Sequence, residues 1–125
     1  MTRLLLIGAG GFVGSISRYL VSGYVQGDRL SFPYGTLAVN LMGCFLIGFL
    51  SQLADSRGLF TPESRSLVFI GFLGGFTTFS TFGNETMNLL RDGQNSLALG
   101  NTTLHLIGGL AMVWLGRLVS GRIWQ

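Results

Sequence analysis

The sequence has few of the charged residues that soluble proteins use to cover their surface. Charged residues make up 10% of the 125 positions, against roughly 25% in ordinary soluble domains. Lysine is missing, and the eight basic residues are all arginines, scattered along the chain rather than clustered. A nucleic-acid-binding surface depends on clustered contacts to phosphates, so we do not expect nucleic acid as a partner.

Residues that form disulfides and metal sites are also scarce. Cys44 is the only cysteine, which excludes a disulfide within the chain and a metal site built from cysteines. His105 is the only histidine, which excludes a cluster of histidine ligands. The sequence contains no recognisable catalytic constellation and no nucleotide-hydrolysing motif, so we do not expect an enzyme.

Long apolar stretches dominate what is present. Hydrophobic residues make up 48% of the chain, and its 20 glycines also favour a membrane protein. Four stretches reach the roughly 20 residues that cross a bilayer: about 4–25, 34–53, 67–90 and 97–119. The first stretch begins like a signal peptide, but it is long and we interpret it as a retained span. The sequence predicts one all-α integral membrane domain, residues 1–125, with short polar connections.

Glycines in the first stretch imitate a dinucleotide-binding turn. Three of them are spaced by three residues, and Asp28 lies downstream where a ribose-binding acid could stand. No alternation of strands and helices follows, so we interpret these glycines as helix-packing residues. The four-residue spacing of small residues that membrane helices use for close packing is found at Gly10 and Gly14, at Gly11 and Ser15, and at Gly71 and Gly75.

The third stretch contains the most unusual segment, residues 74–82 (GGFTTFSTF). Two glycines and four hydroxyl side chains interrupt an otherwise apolar span, and both residue types weaken a helix. Lipid cannot satisfy free backbone groups, so the segment must face protein, an ion or water. Broken membrane helices build ion sites from their exposed carbonyls and amides. The segment therefore predicts a broken third helix and a pore or transport site.

Side chains near this segment allow two interpretations each. Phe79 and Phe82 share a helix face, where their ring edges could contact an anion or simply pack. Asn40, in the second stretch, could bond to a neighbouring helix or donate to a passing anion. Arg18, inside the first stretch, could reach the membrane interface or line a vestibule that attracts anions.

Two further ionisable residues also allow two interpretations each. Glu85 lies three residues after Phe82 and could pair with an arginine or stand in a water-filled mouth. His105, in the fourth stretch, could be a helix-packing donor or a proton relay.

The distribution of arginines says little about orientation in the membrane. If all four stretches span, one side carries five arginines and the other carries three: Arg3, Arg57, Arg65, Arg117 and Arg122 against Arg18, Arg29 and Arg91. Such a weak bias is compatible with insertion in both orientations under the positive-inside rule. Four helices also make a thin bundle for a pore, which favours an oligomer.

With these residues the chain resembles the Fluc or CrcB family of small bacterial fluoride channels. The resemblance covers essentially the full length. It is carried by residues 35–40 (GTLAVN), residues 74–82, Arg18 within residues 17–19 (SRY), and Glu85.

The resemblance implies a channel in the bacterial inner (plasma) membrane that exports fluoride from the cytoplasm by passive electrodiffusion and so reduces fluoride toxicity. It implies an antiparallel, dual-topology homodimer with four transmembrane helices per subunit and two pores. Carbonyls of Gly74 and Thr77 from both copies would hold a central structural Na⁺. The implied pore residues are Asn40, Phe79, Ser80, Thr81 and Phe82, with Arg18 near the mouth and Thr102 or His105 as candidates on the fourth helix.

Other functions remain to be compared with this one. A small dual-topology, proton-coupled multidrug transporter needs a carboxylate deep in its first span, where this sequence has Arg18 and no acid. A non-transporting assembly subunit would leave the polar centre of the third span without a role. Composition alone does not select fluoride over chloride; the resemblance does.

Overall fold

The computed structural model describes residues 1–123. Within that range, four helical stretches are long and apolar enough to cross a membrane: Thr2–Gln26, Tyr34–Arg57, Pro62–Arg91 and Asn95–Ile123. The prediction of four spans is confirmed. The helices run past the predicted apolar stretches because polar and charged residues continue them beyond the apolar centre.

Several helical segments make up the third and fourth stretches. The α-helices are α1 (Thr2–Gln26), α2 (Tyr34–Arg57), α3 (Pro62–Arg65), α4 (Gly74–Phe76), α5 (Phe79–Arg91), α6 (Asn95–Thr103) and α7 (Gly109–Ile123). The first π-helical segment, Ser66–Leu73, joins α3 to α4, and the second, Leu104–Gly108, joins α6 to α7. Such wider turns are rare and often occur at functional sites.

Glycines bring α1 against the first π-helical segment. A Cβ atom at Gly10 would overlap the carbonyl oxygen of Leu67, and one at Gly14 would overlap that of Phe72. On the facing segment, a Cβ at Gly71 would come within 3.0 Å of the Cα of Gly10. Backbones approach this closely only where side chains are missing, so the predicted packing role of the glycine spacing is confirmed.

Close glycine contacts also bring α2 against α7. A Cβ at Gly48 would overlap the carbonyl of Val113, and a Cβ at Gly116 would overlap the carbonyl of Phe45. The bundle therefore consists of two close helix pairs, α1 with the first π-helical segment and α2 with α7.

Large apolar side chains lie mainly on the outside of the bundle. Leu5, Phe12, Ile107 and Leu110 are examples of exposed residues on the first and last spans. Lipid solvates such side chains as well as a protein interior does, so a membrane bundle need not bury them. Together with the four spans, this arrangement is that of a multi-pass membrane protein.

Extended backbone separates α4 from α5 in the middle of the third stretch. Thr77 has φ −88° and ψ 159°, and Thr78 has φ −151° and ψ 112°. Glycines and hydroxyl residues were both expected to weaken the helix; Gly74 and Gly75 stay helical, and two threonines leave it. Gly75 instead serves packing, since a Cβ there would come within 3.0 Å of the Cα of Gly11 on α1.

Candidate functional site at the extended threonines

Thr78 is held by the side chain of Asn40 on α2. Asn40 Nδ2 donates to the Thr78 carbonyl at 3.0 Å, and the Thr78 N–H donates to Asn40 Oδ1 at 2.8 Å. One amide thus satisfies both backbone groups of an extended residue, as a neighbouring strand would. The interhelical hydrogen bond is therefore present, and the second hydrogen on Nδ2 is available for another acceptor.

This hydrogen bond changes the surroundings of Gly74. In a continuous α-helix the Thr78 N–H would donate to the Gly74 carbonyl, four residues back. Because Asn40 Oδ1 takes that N–H, the Gly74 carbonyl loses its helical donor. Gly74 is also exposed on the surface of the single chain. A carbonyl released in this way inside a membrane needs another partner, such as an ion, water or a second chain.

Arg18 reaches the same segment from α1. Its Nη1 donates to the Thr77 carbonyl at 3.2 Å, and the side chain is half-buried. It lines a cavity of about 450 Å³ together with Ser15, Thr78 and Thr81. The guanidinium group therefore lies at the extended segment, beside this cavity.

Hydroxyl groups gather where α5 begins. Thr78 is the N-cap, and its Oγ1 accepts the Thr81 N–H at 3.2 Å. The same Oγ1 lies 2.9 Å from Thr81 Oγ1 and 3.4 Å from Ser80 Oγ. Ser80 and Thr81 are exposed on the single chain. Hydroxyl donors at the positive end of a helix favour a negative charge.

The two phenylalanines stand beside a second cavity of about 360 Å³. Their ring centroids are 5.4 Å apart, with the planes inclined by 57°. Phe82 is buried, and its ring centroid lies 4.3 Å from that of His105. Phe79, by contrast, is 79% exposed. The residues expected to form the site and found lining this cavity are Asn40, Gly74, Thr77, Phe79, Phe82 and His105.

The structure therefore gathers the expected residues around one point. Thr78 lines both cavities, so the cavity with Arg18 and the cavity with Phe82 both border the extended backbone. Thr81 belongs to the first and Asn40 to the second. A positive charge, hydroxyl and amide groups and aromatic rings therefore lie around the extended backbone.

Glu85 and Thr102 have other partners. Glu85 Oε1 accepts the Thr36 hydroxyl at 2.7 Å, and the side chain lines a polar cavity with Arg29 and Asp92. The Thr102 hydroxyl donates to the Ala98 carbonyl of its own helix at 3.0 Å, so His105 is the fourth-span candidate that reaches the aromatic cavity.

Asn101 is a site residue that the sequence analysis missed. It is fully buried; its Nδ2 donates to Thr86 Oγ1 at 2.9 Å, and Thr86 Oγ1 donates to the Phe82 carbonyl at 2.8 Å. This chain of bonds ties α6 to the backbone of the buried phenylalanine. The argument that singled out Asn40, a lone amide in a membrane helix, applies equally to Asn101.

Comparison with known proteins shows the family of this chain. The family described as CrcB-like protein, Camphor Resistance (CrcB), matches residues 5–117. The chain belongs to the CrcB family. A fluoride-specific ion channel FluC of Chlorobaculum tepidum is 50% identical over 125 residues, which cover 100% of this chain and 98% of the relative.

Further relatives of this CrcB-family chain carry the same description. A fluoride-specific ion channel FluC of Chlorobium phaeobacteroides is 49% identical over 125 residues, covering 97% of this chain and 94% of the relative. A fluoride-specific ion channel FluC 1 of Methanosarcina acetivorans is 42% identical over 118 residues, covering 94% of this chain and 90% of the relative. The likeness thus extends over nearly the whole of each protein.

Proposed function

We propose that this protein is a passive fluoride channel, which lets F⁻ leave the cytoplasm down its gradient and so reduces fluoride toxicity. The observation that carries the proposal is the extended pair Thr77 and Thr78, held by Asn40 and open to the aromatic cavity. This geometry suits a small anion. The choice of fluoride rests on the relatives, which are described as fluoride-specific ion channels.

Conduction requires groups that replace the hydration shell of fluoride without holding the ion too tightly. The second Nδ2 hydrogen of Asn40 and the hydroxyls of Ser80 and Thr81 supply donors. The rings of Phe79 and Phe82 supply positive edges, which attract an anion weakly. Arg18 raises the local concentration of anions near the extended segment.

The working unit that we propose is an antiparallel, dual-topology homodimer. Phe79 is 79% exposed and Gly74 is exposed, although both belong to the proposed pore or ion site. A second copy inserted upside down would cover these residues and complete the aromatic cavity. The weak arginine bias allows both orientations.

Labelling can test the dual topology. In a Cys44→Ser background, Ser56→Cys places a single thiol at the exposed end of α2. An impermeant maleimide applied to one side of the membrane should label about half of the copies if insertion is dual. Complete labelling from one side and none from the other would mean a single orientation.

We also propose a central Na⁺ held by the carbonyls of Gly74 and Thr77 from two copies. The Gly74 carbonyl suits this role because Asn40 has taken its helical donor. The Thr77 carbonyl already accepts a bond from Arg18 at 3.2 Å, yet a carbonyl has a second lone pair. The guanidinium would lie close to the ion, so the site needs its carbonyls from both subunits to offset that charge. Bound there, Na⁺ would join the subunits and attract anions.

A fluoride-electrode assay tests the function. Purified protein in liposomes loaded with potassium fluoride should release fluoride quickly once valinomycin lets K⁺ follow, and slowly without it. Chloride-loaded liposomes should release little. Equal release of both ions, or tight vesicles, would overturn the proposal. Release that needs a proton gradient rather than valinomycin would favour a coupled transporter, which the acid-free helix α1 otherwise disfavours.

A further inference from the structure

The hydrogen bond of His105 determines which of its ring nitrogens carries a proton. Nδ1 lies 3.0 Å from the carbonyl oxygen of Asn101. A carbonyl only accepts hydrogen bonds, so Nδ1 must be the protonated nitrogen. A neutral imidazole has one N–H, which leaves Nε2 with a lone pair and no proton. Among residues 1–123, Nε2 is buried without a hydrogen-bond partner.

The position of this ring is unusual for a packing residue. It lies 4.3 Å from the ring of Phe82, centroid to centroid, and lines the same cavity as Asn40 and Phe79. It also belongs to the second π-helical segment, Leu104–Gly108, a distortion that often marks functional positions. A purely structural histidine would normally satisfy both nitrogens, because buried polar atoms without partners are costly.

We propose that His105 is a proton-controlled anion-binding group of this channel. In the neutral ring, Nε2 is a buried lone pair without a donor, and the ring brings no positive charge to the cavity that the residue lines. In the protonated ring, Nε2 becomes an N–H without an acceptor and the cavity gains a positive charge, so fluoride binds beside the ring. The inference rests on the proposed fluoride channel and adds a residue and a regulation to it.

The surroundings leave this charge uncompensated. The segment that carries the ring packs against α2, α6 and α7, and the ring shares its cavity with the first π-helical segment, α4 and α5. On α7, Arg117 pairs with Asp55 at 3.7 Å. Among the described residues that line the cavity, Cys44 on α2 is the other titratable group, and none carries a formal charge. Glu85 on α5 lines a different cavity, where it accepts the Thr36 hydroxyl. Arg18 donates to the Thr77 carbonyl from the α1 side.

The binding of a proton to His105 and the binding of fluoride beside it are thermodynamically linked. If protonation of His105 strengthens fluoride binding, then fluoride must strengthen proton binding by the same factor. Histidine is the side chain whose protonation most often responds to pH near neutrality, so pH is the variable that tests both effects. The channel would conduct best under acid conditions, where HF enters cells and delivers fluoride.

Flux measured against pH tests the proposal. Fluoride efflux from liposomes, with the HF leak of protein-free liposomes subtracted at each pH, should rise about threefold or more from pH 8 to pH 5. His105→Gln keeps an N–H₂ donor near the position of Nε2 and cannot titrate, so its flux should not depend on pH. Cys44→Ser removes the other titratable group and should leave the rise intact. A flat wild-type profile, or a rise that persists in His105→Gln, would overturn the proposal.

A second readout does not depend on transport. Because His105 is the only histidine, tag-free protein labelled with ¹⁵N should show a single imidazole titration by NMR. Adding fluoride should move its midpoint to higher pH, and adding chloride should not. No fluoride-dependent shift would refute the role of His105 even if the channel conducts. If fluoride flux is missing at every pH, the proposed function fails instead.

Discussion

Replacing Asn40 with aspartate is the sharpest perturbation of the extended segment. The two side chains have nearly the same size, so packing changes little. Aspartate keeps the oxygen that accepts the Thr78 N–H at 2.8 Å, but it loses the donor to the Thr78 carbonyl at 3.0 Å. A carboxylate oxygen would then face a carbonyl oxygen, and a negative charge would stand on the path of the anion.

Losing the donor at position 40 should lower both the stability of the protein and its fluoride flux. Leaving a buried carbonyl without its donor costs about 1–3 kcal/mol, and hydrogen bonds between membrane helices measure about 0.6–1.7 kcal/mol. Each 1.36 kcal/mol that enters a barrier changes a rate about tenfold. We therefore expect Asn40→Asp to reduce fluoride flux at least about tenfold and to lower thermal stability, with the repulsion of the anion adding to the flux loss.

A matched variant makes this prediction testable. Asn95→Asp introduces the same charge at the exposed first residue of α6, where an acid is favourable. It should leave fluoride efflux and melting temperature nearly unchanged. Size-exclusion chromatography checks that both variants keep their assembly. If Asn40→Asp conducts like the wild type, the amide donor at position 40 is not needed, and the account of the extended segment is wrong.

Three other sets of substitutions probe the aromatic rings, the helix packing and the threonine backbone. Phe79→Ile or Phe82→Ile should cut fluoride flux about tenfold or more while the assembly survives, since isoleucine has no positive ring edge; unchanged flux in both would remove the rings from the pore. Gly10→Ala should destabilise the protein by about 1–3 kcal/mol in thermal melting, because its Cβ would overlap the Leu67 carbonyl. Gly8→Ala, with nothing within 4 Å of its Cβ, should be neutral, and equal effects would refute the packing argument. Thr77→Ala should preserve Na⁺-dependent stability, because the proposed ligand is a carbonyl; loss of that dependence would implicate the hydroxyl.

Composition and spacing were sufficient to predict the spans and the glycine contacts. A membrane helix must be apolar over a fixed length, and close backbone approach requires small residues at regular intervals. Gly10 and Gly14 satisfy both conditions, and the structure places them against the first π-helical segment. These features depend on short sequence intervals, so one sequence is enough to find them.

Features that depend on contacts between distant residues were harder to predict. Gly74 and Gly75 attracted attention as helix breakers, yet the extended residues are Thr77 and Thr78. Asn40, 38 residues before Thr78, supplies the hydrogen bonds that stabilise this conformation. Asn101 itself is visible in the sequence as a lone amide in a membrane helix, but its bond to Thr86 on another helix is a contact that no local pattern reveals.

Selectivity is the central claim, and a planar-bilayer recording measures it most directly. With fluoride on one side of the wild-type channel and an equal concentration of chloride on the other, the reversal potential reports the permeability ratio. We expect it to lie more than about 59 mV from zero, toward the equilibrium potential of fluoride, which corresponds to at least tenfold selectivity. A reversal potential near zero would contradict the account.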